Sequence, residues 1–111
     1  MAFFTDGERL KHQHNMYQRL IIQKILSVVA EISNISEEQI LSRSRYAEVV
    51  DARHLCVFLM YKHHIPKHRI ADIFSLTCRN IHHILAQFDT RRQYGDAMLN
   101  ILLKMAQDRL K

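Results

Sequence analysis

Glycine and proline are scarce, two and one in 111 residues, and tryptophan is absent. So few breakers leave room for long regular elements joined by short connections. The apolar/polar alternation of β-branched residues that marks strands is missing as well, so the chain reads as all-α. Cysteine occurs only as Cys56, inside an apolar run, and Cys78, beside Arg79. That excludes a disulfide framework and fits reduced thiols in a cytosolic protein. The longest apolar run, Leu55-Cys56-Val57-Phe58-Leu59-Met60-Tyr61, falls far short of the roughly 20 residues that cross a bilayer, so no membrane partner is expected. The opening MAFFTDGERLKHQHN has neither a basic start before an apolar stretch nor a small-residue cleavage site, and does not read as a signal peptide.

What is present is a globular balance, 48% hydrophobic and 24% charged, on a length suited to one domain over residues 1–111. Thr5-Asp6-Gly7-Glu8 has the capping-box pattern and predicts a helix from near Asp6, with one apolar face kept through Ile32. Ser36-Glu37-Glu38-Gln39 is a second capping box and opens a short helix ending near Leu41. Ser42-Arg43-Ser44-Arg45 is a polar, basic loop. From about Ala47 to His63 a helix is apolar on every side in its middle, which assigns it to the centre of the fold. Pro66 suits the first helical position of a helix ending near Phe74, and Thr77 caps another running to about Phe88. Thr90-Arg91-Arg92-Gln93 repeats the capping pattern and predicts a last helix over 90–110, with Tyr94, Met98, Ile101, Leu102 and Met105 as its buried set. The expected architecture is a compact bundle of about six helices.

The net charge of +5 is unevenly placed. Residues 42–92 hold nine Lys/Arg against four acids, which is +5, and the remainder holds seven of each, which is zero. Six of the eight histidines fall in the same window. Such a footprint suits phosphates, although a solvated basic face would look the same.

Within that window, residues 67–86 read as two helices joined by a tight turn. Ile70, Phe74, Leu76, Ile81 and Ile84 fall where a helix-turn-helix needs apolar residues, and Ala71 where the second helix presses close. Ser75 stands where glycine is usual. An ordinary helical hairpin is the plainer alternative. The start of the second helix exposes Thr77, Arg79, Asn80 and His83, in the part that reaches base edges. Arg79 suits guanine O6/N7 and Asn80 suits adenine N6/N7. Against that, Asn80 could close a local backbone hydrogen bond and Arg79 a surface salt bridge. Arg53, Lys67, His68 and Arg69 suit phosphate contacts, and equally a solvated role.

A wider resemblance covers residues 20–88. The segments IIQKILSVVAEISNISEEQILSRSR, ARHLCVFLMYKHHIPKHRIADIFS and NIHHIL resemble the C-terminal DNA-binding domain of the bacterial replication initiator DnaA. The resemblance implies a Trp-repressor-like helical fold that binds duplex DNA. It also implies that the basic loop, through Arg43 or Arg45, enters a minor groove. That family carries an Arg-Asp-His-Thr-Thr-like signature at the start of the recognition helix. Here Thr77-Cys78-Arg79-Asn80 stands in its place, one residue shorter, so the family's usual DNA box is not the expected target. No G-x-x-x-x-G-K-[ST] occurs, so the chain resembles the domain and not a whole initiator. Residues 1–19 match nothing and form an N-terminal extension. With the last helix they could make a homodimer interface.

His63-His64-x-x-x-His68 invites a metal reading, but Pro66 interrupts the helical spacing and no carboxylate or cysteine is adjacent. No nucleophile has a base at catalytic spacing. An enzyme, a cofactor, a metal and a small-molecule substrate are therefore not expected. The expectation is a cytoplasmic, nucleoid-associated protein that binds double-stranded DNA in replication or transcription control. Its rival is a protein-interaction module of the same fold that has lost DNA binding.

Overall fold

Six consecutive side chains, Leu55 to Met60, are buried, and the rest of the molecule is arranged around the helix that carries them. The computed structural model describes residues 6–111, with side chains from residue 15 onward. Its elements are α1 (Asp6–Ser33), α2 (Glu37–Leu41), α3 (Ala47–Lys62), α4 (Lys67–Phe74), α5 (Cys78–Gln93) and α6 (Ala97–Leu110), and among the described residues there is no strand. The expected Thr5 cap lies outside the described residues.

The central helix α3 packs against α1, α2, α4 and α5, and α1 also packs along α6. Ile25 and Val29 of α1, Ile40 of α2, Ile70 of α4 and Ile81 and Phe88 of α5 are fully buried in the shared core. Each such side chain contributes about 1.5–3 kcal/mol by leaving water. The Phe58 and Phe88 rings stack with centroids 4.4 Å apart, which fixes α5 against α3.

The helix ends show how a chain with two glycines makes tight turns. Asn34, His64, Ser75 and Gly95 all take the left-handed conformation, with φ of 59°, 66°, 55° and 78°. After each, the next N–H reaches a carbonyl five residues back: Ile35 to Ala30, Ile65 to Met60, Leu76 to Ala71 and Asp96 to Arg91. This is the Schellman closure of a helix. Three of the four positions carry a side chain where glycine would be easiest. Helix starts are equally local. Ser36 and Gln39 form the reciprocal capping box, and Thr77 Oγ1 accepts the Asn80 N–H at 3.2 Å.

The structure differs from expectation at three places. Pro66 is the cap of α4, one residue ahead of the expected first helical position. Thr90 does not open a helix. Its hydroxyl donates to the Ala86 carbonyl at 3.0 Å, α5 runs on to Gln93, and the break comes where Gly95 supplies the left-handed turn and Asp96 caps α6. The buried set of α6 is also one residue later than expected. Leu99, Leu103 and Ala106 are buried, Leu102 is partly buried, and Tyr94, Met98, Ile101 and Met105 are exposed. Two apolar stripes lie side by side on this helix, and periodicity alone does not choose between them. Packing of α6 along α1 and α5 takes the stripe of Leu99, Leu103 and Ala106.

Candidate nucleic-acid interface

The pair α4–α5 closes by its apolar faces. Ile70, Ala71 and Phe74 meet Ile81 and Ile84, all buried, with Leu76 partly buried in the turn. Ala71 is only 3% exposed, as close approach of the second helix requires. Ser75 occupies the left-handed turn position and Thr77 caps α5. The Thr77 hydroxyl oxygen thus uses one of its two lone pairs for the cap, which leaves the other and the hydroxyl proton for a ligand.

The loop ahead of α3 is held by its alternating composition. Ser42 Oγ donates to the Gln39 carbonyl at 2.6 Å, and the Ser44 N–H donates to Ser42 Oγ at 3.2 Å. The serines bond within the loop while Arg43 and Arg45 are exposed. Arg53 reaches across from α3 and donates to the carbonyl of Ile40 in α2 at 2.9 Å and to two loop carbonyls, Ser42 at 2.5 Å and Ser44 at 3.2 Å. Partial burial lowers its pKa, chiefly by desolvation, with the neighbouring Cys56 acting the other way. Arg53 is therefore a brace for the loop, and its donors point into the fold.

Between this loop and α5 lies a cleft of about 430 Å³. Arg43, Arg45, Arg53, Asn80, His83 and Gln87 line it, so the structure brings both loop arginines to the same place as two of the expected base-reading residues. Arg79 lies outside the cleft. It shares with His83 and Ala86 the stripe of α5 opposite Ile81 and Phe88, and it is exposed. No hydrogen bond or ion pair engages the side chains of Arg43, Arg45, Arg79 or Asn80 among the described residues. His54 also lines the cleft. Burial is the main cause holding its pKa below the usual imidazole value; Arg53, Arg91 and His83 act in the same direction and Asp51 opposes them.

The remaining cations divide sharply. Arg69 donates to Gln18 of α1. Arg91 pairs with Asp51 and with Asp96, both at 2.7 Å. Its hydrogen bonds to the two aspartates raise its pKa and lower that of Asp96. Arg92 pairs with Asp89 at 3.2 Å and lies over the Phe58 ring. Charge counting could not see these partners, and they turn Arg53 and Arg69 from the expected phosphates toward the fold. Lys67 and His68 line a separate cavity on the other side of α5, with Cys78 and His82. Lys67 Nζ is 3.1 Å from His82 Nδ1 and sits over the Tyr61 ring. His68 is exposed.

Three site residues escaped the sequence reading: Gln87, His54 and His82. Gln87 falls seven residues after Asn80, on the same helical stripe, so periodicity would have found it. Nothing in the local sequence signals His54, which reaches the cleft from α3. Among the described residues no group of three His, Cys, Asp or Glu is placed to hold a metal ion. No described helix is long and apolar enough to cross a membrane.

A buried two-helix unit, a capped second helix with an unpaired polar start, and a braced basic loop beside it define a helix-turn-helix domain. The model of the bacterial DnaA protein helix-turn-helix family matches residues 22–82, 61 of the 111 residues. The chromosomal replication initiator proteins DnaA of two strains of Leptospira biflexa serovar Patoc are each 32% identical over 90 residues, which is 80% of this chain. The chain belongs to the bacterial DnaA helix-turn-helix family. It matches 19% of the length of those relatives. No solved structure matches significantly.

Proposed function

We propose that this chain binds double-stranded DNA sequence-specifically, with α5 in a major groove and the 42–45 loop at the adjoining minor groove, in the control of replication or transcription at the nucleoid. The observation that carries the reading is the set of side chains left without a hydrogen bond or ion pair in the basic loop and at the start of α5: Arg43, Arg45, Arg79 and Asn80. Five of the other six cations in the basic window have hydrogen-bonding partners in the fold, and the sixth, Lys62, lies over the Phe58 ring, whereas these arginines are left without one. The positive end of α5 adds to the attraction for phosphate. In this reading Arg79 and Asn80 meet base edges, with His83 and the Thr77 hydroxyl beside them. Lys67 and His68 approach the backbone, and Arg53 acts by holding the loop in place. Membership of the DnaA family, whose Leptospira relatives are chromosomal replication initiator proteins, supports replication control first.

Selection of bound sequences from a random duplex pool tests the proposal and yields the preferred site. On that site Arg79→Ala should cost about 1–3 kcal/mol of binding and relax preference at one or two base pairs. Its thermal midpoint should stay unchanged, because an exposed, unpaired arginine contributes little to stability. A folded variant that binds the selected site undiminished would remove α5 as the reading helix.

A further inference from the structure

Outside the basic window the molecule has a second unsatisfied surface, of different chemistry. On α1, Met16, Tyr17 and Leu20 are exposed, Leu20 by 63%; on α6, Met98, Ile101 and Met105 are exposed, Met98 by 66%. All six lie outside the segment matched by the family model. Glu31 near the end of α1 pairs with Arg109 near the end of α6 at 2.7 Å. With their buried faces packed together, the two helices run side by side in the same direction. Counting back in steps of three and four, Leu20 and Tyr17 share the stripe of Glu31, and Met105 and Met98 share that of Arg109. The six side chains therefore flank one outward band, closed at one end by the ion pair.

We infer that a second copy of this chain docks on this α1–α6 band. Each half-exposed large apolar side chain offers roughly 100 Å², so the band approaches about 600 Å². That is the upper end for an apolar patch on a monomer, about 300–600 Å². With its polar rim it comes near the ~800 Å² that each partner buries in a stable complex. Charge selects the occupant. The helices α1 and α6 together hold six Lys/Arg against four acids, a balance of +2, whereas residues 42–92 stand at +5, so like faces repel less here than on the basic flank. A twofold contact sets α1 and α6 of one copy against α1 and α6 of the other as four packed helices. The basic faces stay open.

Sedimentation equilibrium of the full chain without DNA tests this apart from the proposed function. The mass should rise with concentration from 13.2 kDa toward twice that value. Leu20→Glu and Ile101→Glu should each weaken association by at least about 100-fold, because each buries an unpaired charge. Both should keep the helical circular dichroism of the parent, since the positions are exposed; the milder Ile101→Gln should weaken association less with the fold intact. A chain that stays at 13.2 kDa at every concentration, or glutamate variants that associate as well as the parent, would overturn the inference.

Discussion

The two flanks of this domain differ in what they leave unsatisfied. Beside α5 and the 42–45 loop, cations stand without partners; along α1 and α6, apolar side chains stand without cover. The same chain completes both kinds of interaction elsewhere. Arg91 is held by two aspartates, and Leu99 and Leu103, on the same helix as Met98, are buried. The contrast teaches that composition marks neither surface. What marks them is the remainder after the fold has taken its share of charges and apolar faces, and that remainder has opposite chemistry on the two flanks.

The largest expected effect separates the flanks. Arg53→Ala removes the hydrogen bonds that brace the basic loop and leaves three carbonyls without their donor. We expect a loss of about 2 kcal/mol in chemical denaturation. DNA affinity should fall with it while self-association is untouched. Arg43→Ala, by contrast, should stay within about 0.5 kcal/mol of the parent in stability. Equal stability losses for the two variants would erase the distinction between bracing and free arginines.

A smaller change relieves strain in the helix-turn-helix without touching either flank. Ser75 holds φ at 55°, which costs a residue with a side chain about 1–2 kcal/mol. Glycine avoids that strain but loses more chain entropy on folding, so Ser75→Gly should stabilise by up to about 1 kcal/mol. A destabilised variant would show that the Ser75 side chain supports the turn.

The smallest effect is a pH dependence confined to the basic flank. The folded pKa of His54 lies below its unfolded value of about 6.5. The unfolded chain therefore takes up a proton first as pH falls. The stability that neutral His54 contributes is full above pH about 6.5 and is lost as pH drops from there through the lower folded pKa. Urea midpoints should decline less from pH 7 to pH 5 in His54→Gln than in the parent. Parallel profiles would place the acid sensitivity elsewhere.

Much of the fold was legible because its signals are local. The Ser36 box, the Thr77 cap and the all-round apolar middle of α3 each decide an element from a few neighbouring residues, and each stands where the sequence placed it. The α6 face was not legible, because the 98/102/105 and 99/103/106 stripes are equally apolar and only packing against α1 distinguishes them. In the site, the exposed start of α5 followed from helical spacing. The engagement of Arg53 and Arg69 did not, since their partners lie 9 to 51 residues away in the chain.

The central claim is that the free arginines of the loop and α5, together with Lys67 of α4, meet phosphates and grooves of duplex DNA. Affinity for the selected duplex, measured across a range of salt, addresses it most directly. Log K should fall linearly with log salt, with a slope of roughly −3 if Arg43, Arg45 and Lys67 each displace a counterion. The Arg43→Ala/Arg45→Ala double variant should flatten that slope by about 2. Binding that is indifferent to salt, or a double variant with the parent's slope, would contradict the account and favour a protein-interaction module on the same fold.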